Sequence, residues 1–273
     1  MSNKKFILNA DDFGISKELN KAVLKGHLNG FLSSTSICAN GKDFDSAVYE
    51  IIPECPNLGI GVHLNIIEGN GLLDGEPFKH GYGALMALSV NKKFLQKVEE
   101  EFRLQIEKIM KFTKVTHIDS HVHVHAIPNY FEITCKLAKE YGIKQVRTQF
   151  ENFYFTPVFS KHLNFKYPPN LLKIALLNSF TIKNRKTVEK YGLKTNDYLI
   201  GVGYTGLMDD KTVHAGLASL PDEDMVAEAL IHPYFYPFPE KNNQHYKEYL
   251  ITQNSDLQDS IRRLGFKICN YKE

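Results

Sequence analysis

The chain has 273 residues, 43% of them hydrophobic and 23% charged, which is the make-up of a folded globular protein and excludes a disordered one. Thirty-three Lys and Arg against 31 Asp and Glu leave a formal net charge of +2, which excludes a broad basic footprint for nucleic acid. No window approaches the roughly 18 apolar residues of a membrane span, and the apolar run after Lys4-Lys5 is too short for a secretory signal. A cytoplasmic protein is expected. The four cysteines (Cys38, Cys55, Cys135, Cys269) are far apart, form no CxxC pair and read as buried thiols.

In chain order, Phe6-Ile7-Leu8 reads as a short buried strand ending at Asn9-Ala-Asp-Asp12. Ser16 then caps a helix with Leu19, Ala22 and Val23 on one face and Gly30 as its stop. Strands follow at about 32–39 and at 59–64. Residues 66–92 carry five glycines and no clear period, and read as an inserted lid or binding loop. Phe94, Val98, Phe102, Ile106 and Ile109 recur at helical spacing and predict a helix over about 93–112. A strand at 115–121, a helix over 129–141 and a strand at 144–147 come next. The pattern loosens between 150 and 195, a segment rich in aromatics (seven from Phe150 to Tyr167), with Leu171–Phe180 apolar on most sides. It resumes with Tyr198-Leu-Ile200, a short helix near 210–219, a strand at 226–231 and a helix–strand pair ending at Cys269. Strands alternating with helices indicate a parallel sheet. Seven or eight such units suit a single-domain α/β barrel spanning 1–273 better than an open sheet.

In parallel α/β folds the reactive residues gather at the carboxyl ends of strands. Here five strand ends deliver Asp11-Asp12, His63, Asp119 with His121, Arg147 and His232. Adjacent carboxylates repel unless a cation lies between them, so Asp11-Asp12 reads as one metal ligand and one general base, or else as a helix cap. In His117-Ile-Asp-Ser-His-Val-His-Val-His125, all four histidines and Asp119 have odd numbers and share a face while the chain is extended. So dense a run of imidazoles suggests a divalent metal site, with His121 nearest it, Asp119 orienting a ligand, and His123 and His125 bonding substrate or loop. Arg147 reads as a surface ion pair or as the partner that orients an acid such as Asp11. His232, fixed between an apolar strand and Pro233, is placed for general-acid work. Gly201-Val-Gly-Tyr-Thr-Gly206 matches a dinucleotide fingerprint, but no acid ends a second strand about 20 residues on. A flexible substrate loop is the expectation there.

Asn9-Ala-Asp-Asp-Phe-Gly14, Gly61-Val-His-Leu-Asn65, the His117–His125 run and Ile231-His-Pro233 together resemble the YdjC-like carbohydrate deacetylase family, in order from residue 5 to about 235. The resemblance implies a distorted (βα) barrel and removal of N-acetyl groups from an amino sugar or short oligosaccharide. It implies Asp12, His63 and His121 as ligands of one divalent metal ion, Asp11 as base and His232 as acid, acting with a metal-activated water. One carboxylate and two imidazoles suit zinc by ligand softness, whereas the family is commonly described with magnesium; both remain open. A phosphoesterase acting on a sugar phosphate and a non-catalytic sugar-binding protein are the rival expectations. Exposed apolar residues in 150–180 would fit a homo-oligomer or a membrane contact.

Overall fold

The computed structural model describes residues 2–272. Its elements in order are β1 (Lys4–Phe13), α1 (Lys17–Leu28), β2 (Ser34–Ile37), α2 (Phe44–Ser46), β3 (Gly59–Leu64), α3 (Tyr82–Leu88) and α4 (Lys92–Met110). They continue with β4 (His117–Ser120), α5 (Pro128–Glu140), β5 (Gln145–Val146), α6 (Tyr167–Tyr191), β6 (Tyr198–Ile200), α7 (Asp210–Ala218), β7 (Met225–Ile231), α8 (Gln244–Gln253), α9 (Ser255–Arg263) and β8 (Phe266–Ile268). Local chemistry sets several boundaries. Ser16 accepts from Leu19 N at the head of α1, and Asn91 accepts from Lys93 N and Phe94 N at the head of α4. Both helices bury their apolar stripe, Leu19, Ala22 and Val23 in the first, Val98, Phe102, Ile106 and Ile109 in the second.

The strands run parallel in the order β5-β4-β3-β2-β1-β7-β6. β1 is the hub: β7 pairs with it from Lys4 to Ala10, while its other edge is shared by β8 along Lys4–Phe6 and by β2 from Asn9 onward. The sheet curls into a distorted (βα) barrel. Its two end strands meet through the irregular chain after β5, where Leu199 N donates to Phe150 O at 2.7 Å and the Asn196 side chain brackets both backbone groups of Thr148. The barrel closes by a bridge, not by a continuous ladder.

One expectation needs correction, and one segment left without an element gains one. The 66–92 segment is not all loop, since α3 forms inside it and α4 begins at Lys92. The 150–195 segment contains the 25-residue α6, whose periodicity was masked because apolar residues occupy both its buried and its exposed faces. All four cysteines are buried. Among the described residues no helix is long and apolar enough to cross a membrane.

Close packing at the barrel centre generates a test. A Cβ on Gly61 of β3 would lie 2.3 Å from Nε2 of His117, whose ring is backed by the Tyr271 ring at 4.0 Å. Gly61→Ala is expected to cost about 1–3 kcal/mol of stability, seen as a lower urea midpoint; an unchanged midpoint would show that the ring can retreat.

Candidate active site

Successive side chains on a strand point to opposite faces, yet Asp11 and Asp12 both reach the same centre. The cause is local. The β1–β2 register shifts between Ala10 and Phe13, and Asp12 adopts a left-handed backbone at φ +66°, a conformation that Asp tolerates better than most residues. Asp12 Oδ1 then lies 3.0 Å from His63 Nε2 and 2.7 Å from His121 Nδ1. One donor atom from each of the three lies within 4.8 Å of the others. The other nitrogen of His63 faces Asp119 Oδ1 at 2.7 Å and Ser36 Oγ at 3.1 Å. A carboxylate behind an imidazole fixes its ring and tautomer, the usual support of a metal-binding histidine.

Electrostatics at this cluster favour a cation. Burial alone would depress the His63 pKa, but Asp119 and Asp12 push it up to about 10. Burial alone would raise the Asp12 pKa, yet hydrogen bonds from His121 and His63 hold it well below the usual carboxylate range. Asp12, His63 and His121 therefore fit a divalent ion both in donor chemistry and in the field they create.

Behind the cluster lies a buried ionic knot. The Arg147 guanidinium donates to both oxygens of Asp11 at 2.7 Å and to Glu228, and it forms an ion pair with Asp119 Oδ2 at 2.7 Å. Glu228 also accepts from the hydroxyl of Tyr271, and Asp11 accepts from Asn9 Nδ2 at 2.8 Å. Burial would raise the Asp119 pKa, but Arg147 and His63 hold it well below the ordinary range. Glu228 goes the other way, pushed up to about 7 by burial despite Arg147.

His232 follows β7, with Nε2 3.9 Å from Asp12 Oδ2, the oxygen turned away from the two imidazoles. Its backbone N–H donates to Glu248 Oε2 at 2.6 Å, and its Nδ1 lies 3.6 Å from the same oxygen. Burial alone would depress its pKa, but Glu248 and Asp12 raise it to about 9.

The histidine run does not share one face as its numbering suggests. β4 ends at Ser120, and the chain coils through 121–126 with Val122 and His123 in left-handed conformations, φ +43° and +59°. Only His121 reaches the metal-type cluster. His117 stays in the barrel interior, bonded to Thr116 Oγ1 at 2.9 Å, and burial pushes its pKa down to about 3. His125 is held by Ser120 Oγ and by the Arg147 carbonyl at 3.0 Å, so it positions the arginine backbone. His123 is buried, and its Nδ1 has no hydrogen-bond partner.

The 201–206 turn also departs from expectation, because it is a buried turn and not a flexible loop. Gly201 N and Gly203 N both donate at 2.9 Å to the Glu151 carboxylate, so the chain's own anion fills the glycine cradle. Burial pushes the Glu151 pKa up to about 7 against those donors.

Sequence reasoning missed Glu228, Tyr271, Glu248 and Glu68. Glu228 was visible as the one charge inside Met225-Val-Ala-Glu-Ala-Leu-Ile231. Glu68, whose Oε2 lies 3.5 Å from His121 Nε2, sits in the loop after β3 and gave no such signal. Its backbone is fixed by Asn65 and Asn40, which both donate to its carbonyl.

With this geometry in view, the sequence profile of the YdjC-like protein family matches residues 5–263. The chain belongs to that family. Among curated relatives of this YdjC-like protein, a carbohydrate deacetylase of Clostridium beijerinckii is 37% identical over 147 residues, covering 51% of this chain and 58% of the relative. A carbohydrate deacetylase of Brevibacillus brevis is 37% identical over 148 residues, covering 51% and 57%. The matched part is thus a little over half the length of those relatives. Two crystal structures share the fold. A protein of Enterococcus faecalis V583, described as a candidate cellobiose-phosphate cleavage protein, has a TM-score of 0.72 at 22% identity, covering 99% of this chain and 98% of its own. An uncharacterised protein of Agrobacterium tumefaciens C58 has a TM-score of 0.56 at 9% identity, covering 99% and 88%.

In this YdjC-like protein the titration of Glu228 has a definite sign. An unfolded Glu ionises near about 4.3, while the folded state holds the Glu228 proton to about 7. The stability contributed by that proton is therefore complete below about 4.3 and is lost as pH rises through about 7. Glu228→Gln is expected to flatten this decline relative to the unsubstituted protein in urea unfolding at pH 5, 6, 7 and 8; an equal slope in both proteins would assign it to another group.

Proposed function

We propose that this chain is a metal-dependent hydrolase that removes the N-acetyl group from an amino sugar or short oligosaccharide. One observation carries the reading: Asp12 turns one oxygen to His63 and His121 and the other towards His232, while Asp11 beside it is clamped by Arg147. The names of the curated relatives support the same chemistry.

Asp12, His63 and His121 would hold one divalent ion, zinc or magnesium, whose chemistry is to polarise a carbonyl and make water more acidic. Asp11 takes the proton from the attacking water, and Arg147 keeps both its oxygens aimed. His232 then gives its proton to the departing amine nitrogen, with Glu248 maintaining the charged ring until that moment. Water and amide become acetate and amine, and both side chains return to their starting states by exchange with solvent. Asp119 orients His63, and His125 steadies Arg147 through its carbonyl.

The phosphoesterase alternative needs more than one metal. The second group of donors, Asp11, His63 and Asp119, is already closed over by the Arg147 guanidinium, which speaks for one ion.

The deciding experiment is acetate release from diacetylchitobiose and a panel of N-acetylated sugars, on metal-stripped protein resupplied with zinc, magnesium, cobalt or manganese. Metal-dependent release is expected, and Asp11→Asn and His232→Ala should each lower kcat by about 10²–10⁴-fold with metal still bound. Asp12→Asn is expected to lose the metal itself, read by elemental analysis. Phosphate release from a sugar phosphate, or sugar binding without turnover, would overturn the deacetylase reading.

A further inference from the structure

The segment after β5 presents a surface that the proposed chemistry does not use. On α6 the solvent-facing stripe runs Pro168, Pro169, Leu172, Ala175, Leu176, Ser179 and Ile182, while Ile174, Leu177 and Thr181 face inward. An outer face is normally the polar one, yet here Leu172 is 75% exposed and Ile182 68%. The chain leading into the helix adds Phe155, Phe159 and Phe165, exposed at 75%, 70% and 81%. Phe155 and Phe159 pack edge-on against His162, which packs on Tyr167 in the first turn of α6, so these exposed rings are tied to the start of the helix. Monomeric proteins rarely leave such a surface bare.

Charge tells which partner it fits. Residues 152–188 contain five Lys and one Arg and no Asp or Glu, in a chain whose net charge is only +2. Lys161 is taken up by Asp209, but Lys183 and Lys186 lie exposed directly after Ile182 and form no ion pair among the described residues. Two copies meeting through this face would place like charges against each other. A partner that takes up aromatic and leucine side chains while offering many negative charges is the surface of an anionic lipid bilayer.

We propose that this face seats the protein on anionic membranes, with Phe155, Phe159, Phe165, Leu172 and Ile182 entering the headgroup–acyl boundary and Lys183 and Lys186 meeting lipid phosphates. The surface leads directly towards the candidate active site. Leu172 and Leu176 also line a cavity of about 380 Å³ together with Tyr82, Lys173 and Val122, the residue next to His121. Docking would set the mouth of the barrel against the lipid surface.

The test is co-sedimentation of the full chain with phosphatidylcholine vesicles, with and without phosphatidylglycerol. Binding to the anionic vesicles alone, weakening as salt is added, is expected. Lys183→Glu with Lys186→Glu, and separately Phe165→Ser with Ile182→Ser, should each lower the partition coefficient by roughly tenfold or more. All four positions are exposed, so circular-dichroism melting curves should be unchanged. Equal binding to both vesicle types, no binding to either, or variants that bind like the parent would overturn the proposal. A dimer in light scattering that Phe165→Ser with Ile182→Ser dissolves would assign the face to a second copy instead.

Discussion

A single buried guanidinium organises the site. Arg147 is inaccessible to solvent and is reached by carboxylates from three strands, Asp11 of β1, Asp119 of β4 and Glu228 of β7. Burying such a charge is costly unless it is paired, and a fork of N–H donors meeting planar carboxylates is the strong form of that pairing, made here by the two terminal nitrogens while Nε is left without a partner. Three acids around one cation still leave an excess of negative charge. Burial answers part of it by shifting Glu228 towards its neutral form. The remainder sits on Asp11 and Asp119, directly behind His63, and makes the neighbouring cluster attractive to a positive ion. The same interaction joins strands, aims Asp11 and prepares the adjoining cluster.

Much of this was legible from residue order. Strand-end reasoning brought Asp11, Asp12, His63, Asp119, His121, Arg147 and His232 to one region, where the structure places them. The pairing of Arg147 with Asp11 follows the same logic, since an arginine at a strand end needs an acid and Asp11 is at hand. Backbone departures were not legible. Period-two alternation predicts a common face for the histidines, which fails where Val122 and His123 turn left-handed, and it gives no account of how the left-handed Asp12 joins Asp11 at one centre. Asp and His tolerate such turns, but their presence alone does not announce them.

Long-range satisfaction was equally hidden. The glycines at 201 and 203 look like a cradle for a ligand phosphate, but the anion they hold comes from Glu151, some 50 residues earlier. Tyr271 has no neighbours in sequence that hint at Glu228 or at the His117 ring it stacks on. Helix α6 escaped notice for another reason. Periodicity reports a contrast between faces, and a helix apolar on both has little contrast to report.

The hub position of β1 bears on how the molecule is assembled. The strand that carries both aspartates precedes all its partners in the chain, yet Lys4 pairs with Met225 on one side and with Phe266 on the other. Its edges thus stay open while most of the chain is synthesised, and only β2 is close enough in sequence to cover part of one early. Contacts of such separation close slowly, and unpaired strand edges invite association with other chains in the interval. Asp11, Asp12 and the lysines at positions 4 and 5 lie on that waiting strand, and their charge opposes such association. The charges at both ends of β1 thus guard the strand before its neighbours arrive.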